Sequence, residues 1–131
     1  MTPAAALLEP ANNPALYVSS VLTLYVDLPD APLRANTQDQ RQARNWFDRS
    51  VSLPLVETAL LLASLRRITR PPGVPSLPRI RSLAYFQPVV EELQENPVPD
   101  GYLQYLRFKL RSIVDKADPA AVQKTTSSDD R

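Results

Sequence analysis

The chain has no histidine, no cysteine and only two glycines, Gly73 and Gly101, in 131 residues. Each absence closes off a kind of chemistry. Without histidine, no side chain has an ordinary pKa near neutrality, and serines such as Ser64 and Ser82 lack a base to activate them. Without cysteine there are no disulfides and no thiolate metal ligands, and the redox compartment leaves no trace. Glycines this sparse and isolated cannot build a phosphate-cradling loop. A metal would have to rest on carboxylates, and the one cluster, Glu91, Glu92 and Glu95, has no second pair at a suitable spacing. That cluster reads as a solvated helix face. An enzyme is therefore not expected, nor a cofactor, a metal site or a small-molecule substrate.

Long apolar runs are missing too. None is longer than the run at residues 59–63, which is far too short to span a bilayer. No Lys or Arg precedes Arg34, so the basic stretch that opens a secretory signal is lacking. The expectation is a soluble, cytoplasmic protein without membrane partners.

Proline, by contrast, is abundant: fourteen residues, about twice the average share. The prolines are scattered and punctuate the chain between elements. Net charge is +1. Between residues 34 and 116, thirteen Lys or Arg face eight Asp or Glu, a surplus of five positive charges. That is a mild bias, well short of a strongly basic nucleic-acid-binding domain.

The apolar spacing predicts an all-α fold, an orthogonal bundle of four to five helices in one domain over residues 14–116. Residues 1–13 are expected to be a flexible segment and residues 117–131 a disordered tail. Asn13 and Pro14 form a helix start. Tyr17, Val18, Val21, Leu24, Tyr25 and Leu28 share one helical face, although β-branched and aromatic content leaves a strand over 21–28 in competition. Thr37 and Gln40 make a capping box for a helix to residue 49, with Ala43, Trp46 and Phe47 facing inward and Arg44 able to pair with Asp48. Ser52 caps a helix over 53–69 that has apolar residues at every angle. Such a helix is expected to be buried on all sides, with the others packed around it. Ser82 caps a further segment to residue 95, in which Pro88 marks either a kink or a second start after a short turn. Asp100 caps a last helix over 101–116, with Leu103, Leu106, Leu110, Ile113 and Val114 as its inward stripe.

Helices at 38–49 and 53–69, joined by three residues, have the outline of a helix-turn-helix. The base-reading positions would be Leu53, Pro54 and Leu55, followed by Glu57. These offer no donors to base edges, and Glu57 would repel phosphate. The pair reads better as a core helical hairpin.

Two surfaces remain. Arg66, Arg67, Arg70, Arg79 and Arg81 flank one proline-rich loop and could converge on phosphates without sequence specificity. The bland alternative is that they complement the helix dipole and aid solubility. On the last helix, Phe108 projects opposite the apolar stripe, so Tyr105, Arg107, Phe108 and Arg111 are candidates for a partner contact or a base-stacking platform. Packing of Phe108 against the proline-rich loop or the N-terminal segment would bury it instead.

The stretches DQRQAR at 39–44, LPLVETALLLA at 53–63, IRSLAYF at 80–86 and YLQYLR at 102–107 together resemble a helical module of uncharacterised bacterial proteins. Some of those proteins are associated with DNA-binding or mobile-element replication functions. The likeness covers residues 20–111 and brings no catalytic motif. It implies an accessory role in DNA transactions, which would use the arginine patch. The alternative expectation is a protein–protein interaction or self-association module using the last helix.

Overall fold

A computed structural model describes residues 12–75 and 77–117. It is all-helical, with no strand among the described residues. Among the described residues five helices follow one another: α1 (Pro14–Val26), α2 (Thr37–Asp48), α3 (Leu53–Ile68), α4 (Gln87–Glu95) and α5 (Tyr102–Ala117), with a 3-10 turn over Leu83–Phe86 leading into α4. Apart from residues 12, 13 and 117, the expected flexible segment and tail lie outside the described residues. Asn13 and Ala117 belong to the helical body as the cap of α1 and the last residue of α5.

α1 starts as its sequence dictates. Asn13 is extended, and its side-chain oxygen accepts the Leu16 N–H at 3.1 Å, while Pro14 fills a first-turn position that needs no donor. The strand alternative for 21–28 does not occur. Tyr17, Val21 and Tyr25 recur every four residues and all are buried, so a helical stripe was available to pack. Tertiary burial outweighs the modest β preference of Val and Tyr here.

The cap of α2 sits one residue earlier than expected. Asn36, not Thr37, is the cap: its side chain accepts the Asp39 N–H, and Asp39 accepts the Asn36 N–H, both at 2.9 Å. Asp39 is also 1% exposed, because its second oxygen accepts the Leu83 N–H at 2.9 Å. One carboxylate thus closes the start of α2 and anchors the 3-10 turn. α2 ends at Asp48 with Arg49 as its cap, followed by Ser50, whose φ of 62° lies in the left-handed region where glycine is usual, and the Val51 N–H returns to Trp46 O at 2.9 Å.

α3 is the axis of the molecule. Ser52 caps it through the Leu55 N–H at 3.2 Å, and Pro54 is absorbed in the first turn. From Leu55 to Leu65 every residue is buried or half-buried. α5, α4, α1 and the 3-10 turn all pack against it. The expected hairpin of α2 with α3 is corrected: these two helices hardly touch. Instead α2 lays Ala43 and Trp46 toward α1 and the 3-10 turn, and Trp46 Nε1 donates to Gln87 Oε1 at 2.6 Å. α1 wedges between them, and the Tyr17 hydroxyl donates to Val51 O at 2.7 Å in the link.

Pro88 does not kink a helix. Ser82 caps the 3-10 turn through the Ala84 N–H, and α4 restarts at Gln87 with Pro88 in its first turn. α5 begins at Tyr102, directly after Gly101 at φ 87°, so Asp100 lies one residue too early to be its cap. Of the inward stripe of α5, Leu106 and Leu110 are buried, while Leu103, Ile113 and Val114 are half-buried. Among the described residues no helix is long and apolar enough to cross a membrane.

Candidate interaction surface

The five arginines of the expected patch have different surroundings. Arg66, at the end of α3, grips Glu92 of α4 with two hydrogen bonds of 2.9 and 2.7 Å. That bond raises the Arg66 pKa and holds the Glu92 carboxyl below its ordinary value, the hydrogen bond being the main cause in both. Arg67 is drawn inward, its side chain only 6% exposed. It donates to Pro78 O at 2.8 Å, to Asp30 at 3.2 Å and to the Tyr85 hydroxyl at 3.2 Å, and its guanidinium lies 5.4 Å from the Tyr85 ring centre. Burial pulls its pKa down, but the bonds to Tyr85 and Asp30 outweigh that and leave it raised. Its Nε–H is buried without a hydrogen-bond partner.

Arg70 donates to Pro75 O and Arg79 to Ala31 O, each at 3.3 Å. With the Ile80 N–H on Asp30 O at 3.0 Å, the Arg79 bond ties residues 79 and 80 to the α1–α2 link, while Arg70 ties Pro75 to the end of α3. Only Arg81 of the five is exposed and makes no hydrogen bond to a described residue. Three of the five, Arg67, Arg70 and Arg79, thus fasten the proline-rich loop, whereas Arg66 ties α3 to α4. Two partners that sequence spacing could not reveal, Asp30 and Glu92, lie 37 and 26 residues from the arginines they hold. Asp27 and Asp30 also belong to the helical body. Over residues 14–116 thirteen basic residues face ten acidic ones, and the surplus falls from five to three.

On α5 the four candidate residues divide. Phe108 is 72% exposed and Tyr105 51%, one turn apart, with the Tyr105 ring stacked on Tyr102 at 6.0 Å. Arg107 turns to the other flank and makes a two-pronged pair with Glu57 of α3 at 2.7 and 2.8 Å. That pair raises the Arg107 pKa through its hydrogen bond. It also gives Glu57 a structural role. Arg111 stays in solvent beside Asp115, on the rim of a groove of about 610 Å³ floored by Leu24, Leu28, Leu60, Leu110 and Val114. Among the described elements α5 packs chiefly on α3, and its Tyr105, Phe108 and Lys109 side is exposed.

A second concavity lies where α3 ends. Arg66, Arg67 and Arg70 wall a cleft of about 360 Å³, with Ala63, Val89 and Leu77 supplying apolar surface and Tyr85 a hydroxyl. Neither Leu77 nor Tyr85 stands out in the sequence as a site residue. No protein-family model, no curated protein and no solved structure matches the chain.

Proposed function

We propose that this chain is a non-catalytic protein-interaction module that meets its partner through the outward face of α5. One observation carries the reading. Two large aromatic side chains, Tyr105 and Phe108, stand exposed one turn apart on a helix that, among the described elements, packs chiefly on α3. Leaving such rings in water forgoes roughly 2 kcal/mol of burial each, and aromatic residues are enriched where protein surfaces meet. The bacterial, cytoplasmic setting expected above belongs to the same proposal.

A second copy of the chain is the first partner to test. Sedimentation of the wild type should show a concentration-dependent oligomer, and Phe108→Ser should abolish it without changing the helical signal. A wild type that stays monomeric at the highest attainable concentration removes self-association.

The competing reading is a DNA-replication or mobile-element accessory holding phosphates through arginines. Its support is the basic surplus of the helical body and the exposed Arg81, Lys109 and Arg111. Against it stands the engagement of Arg66, Arg67, Arg70 and Arg79 in bonds within the fold. Affinity for duplex and single-stranded DNA that falls steeply with salt would favour it; no binding at low salt ends it.

A further inference from the structure

We propose that the cleft at the end of α3 is a docking site for an acidic side chain carried on an apolar peptide segment of a partner protein. The idea goes beyond the α5 reading and does not depend on it.

Charge comes first. Three guanidinium groups wall the cleft, but they are not equally free. Glu92 neutralises Arg66 and Asp30 neutralises Arg67. Among the described residues Arg70 has only a carbonyl partner, Pro75 O at 3.3 Å, which leaves its charge unpaired there and four further N–H donors. The Tyr85 hydroxyl accepts from Arg67 and makes no donor bond to a described residue, which leaves its proton free to donate. A cation would be repelled here. A carboxylate between Arg70 and Tyr85 would gain two charge-assisted or polar bonds while keeping both existing ion pairs.

Shape and polarity choose between sources of the anion. The remaining walls, Ala63, Val89 and Leu77, are hydrocarbon. Leu77 and its neighbour Val74 are 38% and 39% exposed, on a loop already fastened by arginines. A nucleic-acid phosphate brings no apolar group to cover them. A peptide pairing Asp or Glu with an adjacent Leu or Val does both at once. The loop is also presented as a prepared surface, because Arg67 holds it through Pro78 O at 2.8 Å, so little ordering is needed on binding.

The test is an NMR titration of the full chain, reading the Arg70 Nε–H and the Val89 methyl signals. The probes are N-acetyl-leucyl-aspartate, N-acetyl-leucyl-asparagine and inorganic phosphate. The aspartate dipeptide is expected to shift both signals with millimolar affinity, and the asparagine analogue to bind about tenfold more weakly. Arg70→Gln and Leu77→Ser, both at exposed positions, should each weaken the aspartate dipeptide by about fivefold with the fold intact. Absence of shifts at any attainable concentration overturns the proposal, as do equal shifts from the two dipeptides. Phosphate binding tighter than the dipeptide and indifferent to Leu77→Ser also overturns it, and assigns the cleft to nucleic acid.

Discussion

The Tyr17 hydroxyl donates to the carbonyl oxygen of Val51 at 2.7 Å, across 34 residues, while the buried Tyr25 hydroxyl has no hydrogen-bond partner among the described residues. Two phenols on one face of α1 therefore have opposite accounts. Tyr17→Phe removes a buried bond and orphans a carbonyl, and should destabilise by about 1–2 kcal/mol. Tyr25→Phe removes only an unmet polar group, and should be neutral or stabilising by up to about 1 kcal/mol. Urea unfolding of the two variants checks the contrast; an equal loss in both would refute it.

The same phenols set the alkaline limit of the fold. Burial pushes Tyr17 up to about 12, and burial with the nearby Asp39 charge pushes Tyr25 to about 12, both from 10.0. A pKa raised on folding means that the protonated form is favoured in the native state. The associated stability is complete below pH 10, where both states are protonated, and drains between pH 10 and 12 as the unfolded chain ionises first. Each phenol accounts for about 2–3 kcal/mol of that loss. Circular dichroism with phenolate absorbance should show unfolding coupled to ionisation in this window, and the Tyr17→Phe, Tyr25→Phe double variant should hold its fold to higher pH.

Asp39 serves two elements with one carboxylate. Asp39→Ala strips acceptors from the Asn36 and Leu83 N–H groups, which should cost about 2–4 kcal/mol. Asp39→Asn keeps one acceptor oxygen and should cost about half as much. Thermal unfolding orders the three proteins; a neutral Asp39→Ala would mean that the 3-10 turn does not need its anchor.

Arg67 and Arg81 look alike in the sequence and should behave differently. Arg67→Gln withdraws the bonds to Asp30 and Pro78 O, and should cost about 1–3 kcal/mol and speed hydrogen exchange across residues 77–80. Arg81→Gln, at an exposed position, should stay within about 0.5 kcal/mol of wild type. Indistinguishable variants would remove the fastening role given to Arg67.

The helices were legible because their signals are local. Asn13 before Pro14, Ser52 before Leu53 and Pro54, and Ser82 two residues before Ala84 each place a side-chain oxygen where orphan N–H groups need it. Where two caps compete within a residue, as at Asn36 and Thr37, spacing does not separate them; the box formed on Asn36 because Asp39 was needed at the third position to reach Leu83 as well. Phe108 was legible as projecting opposite Leu106 and Leu110 on a helix with one buried stripe, but whether another segment covered it was not. The cleft was not, since its walls come from α3, the proline-rich loop, the 3-10 turn and α4.

Periodicity and composition by themselves determined a helical chain, an apolar α3 at its centre and a site without histidine or thiol chemistry, because these follow from residue types and their spacing along the chain. Only the tertiary structure decided that α1 separates α2 from α3, and that four of five arginines hold the fold while Arg81 stays free. Ion pairs such as Arg66–Glu92 and Arg67–Asp30 join residues far apart in sequence, and their geometry exists only once packing has brought the helix ends together.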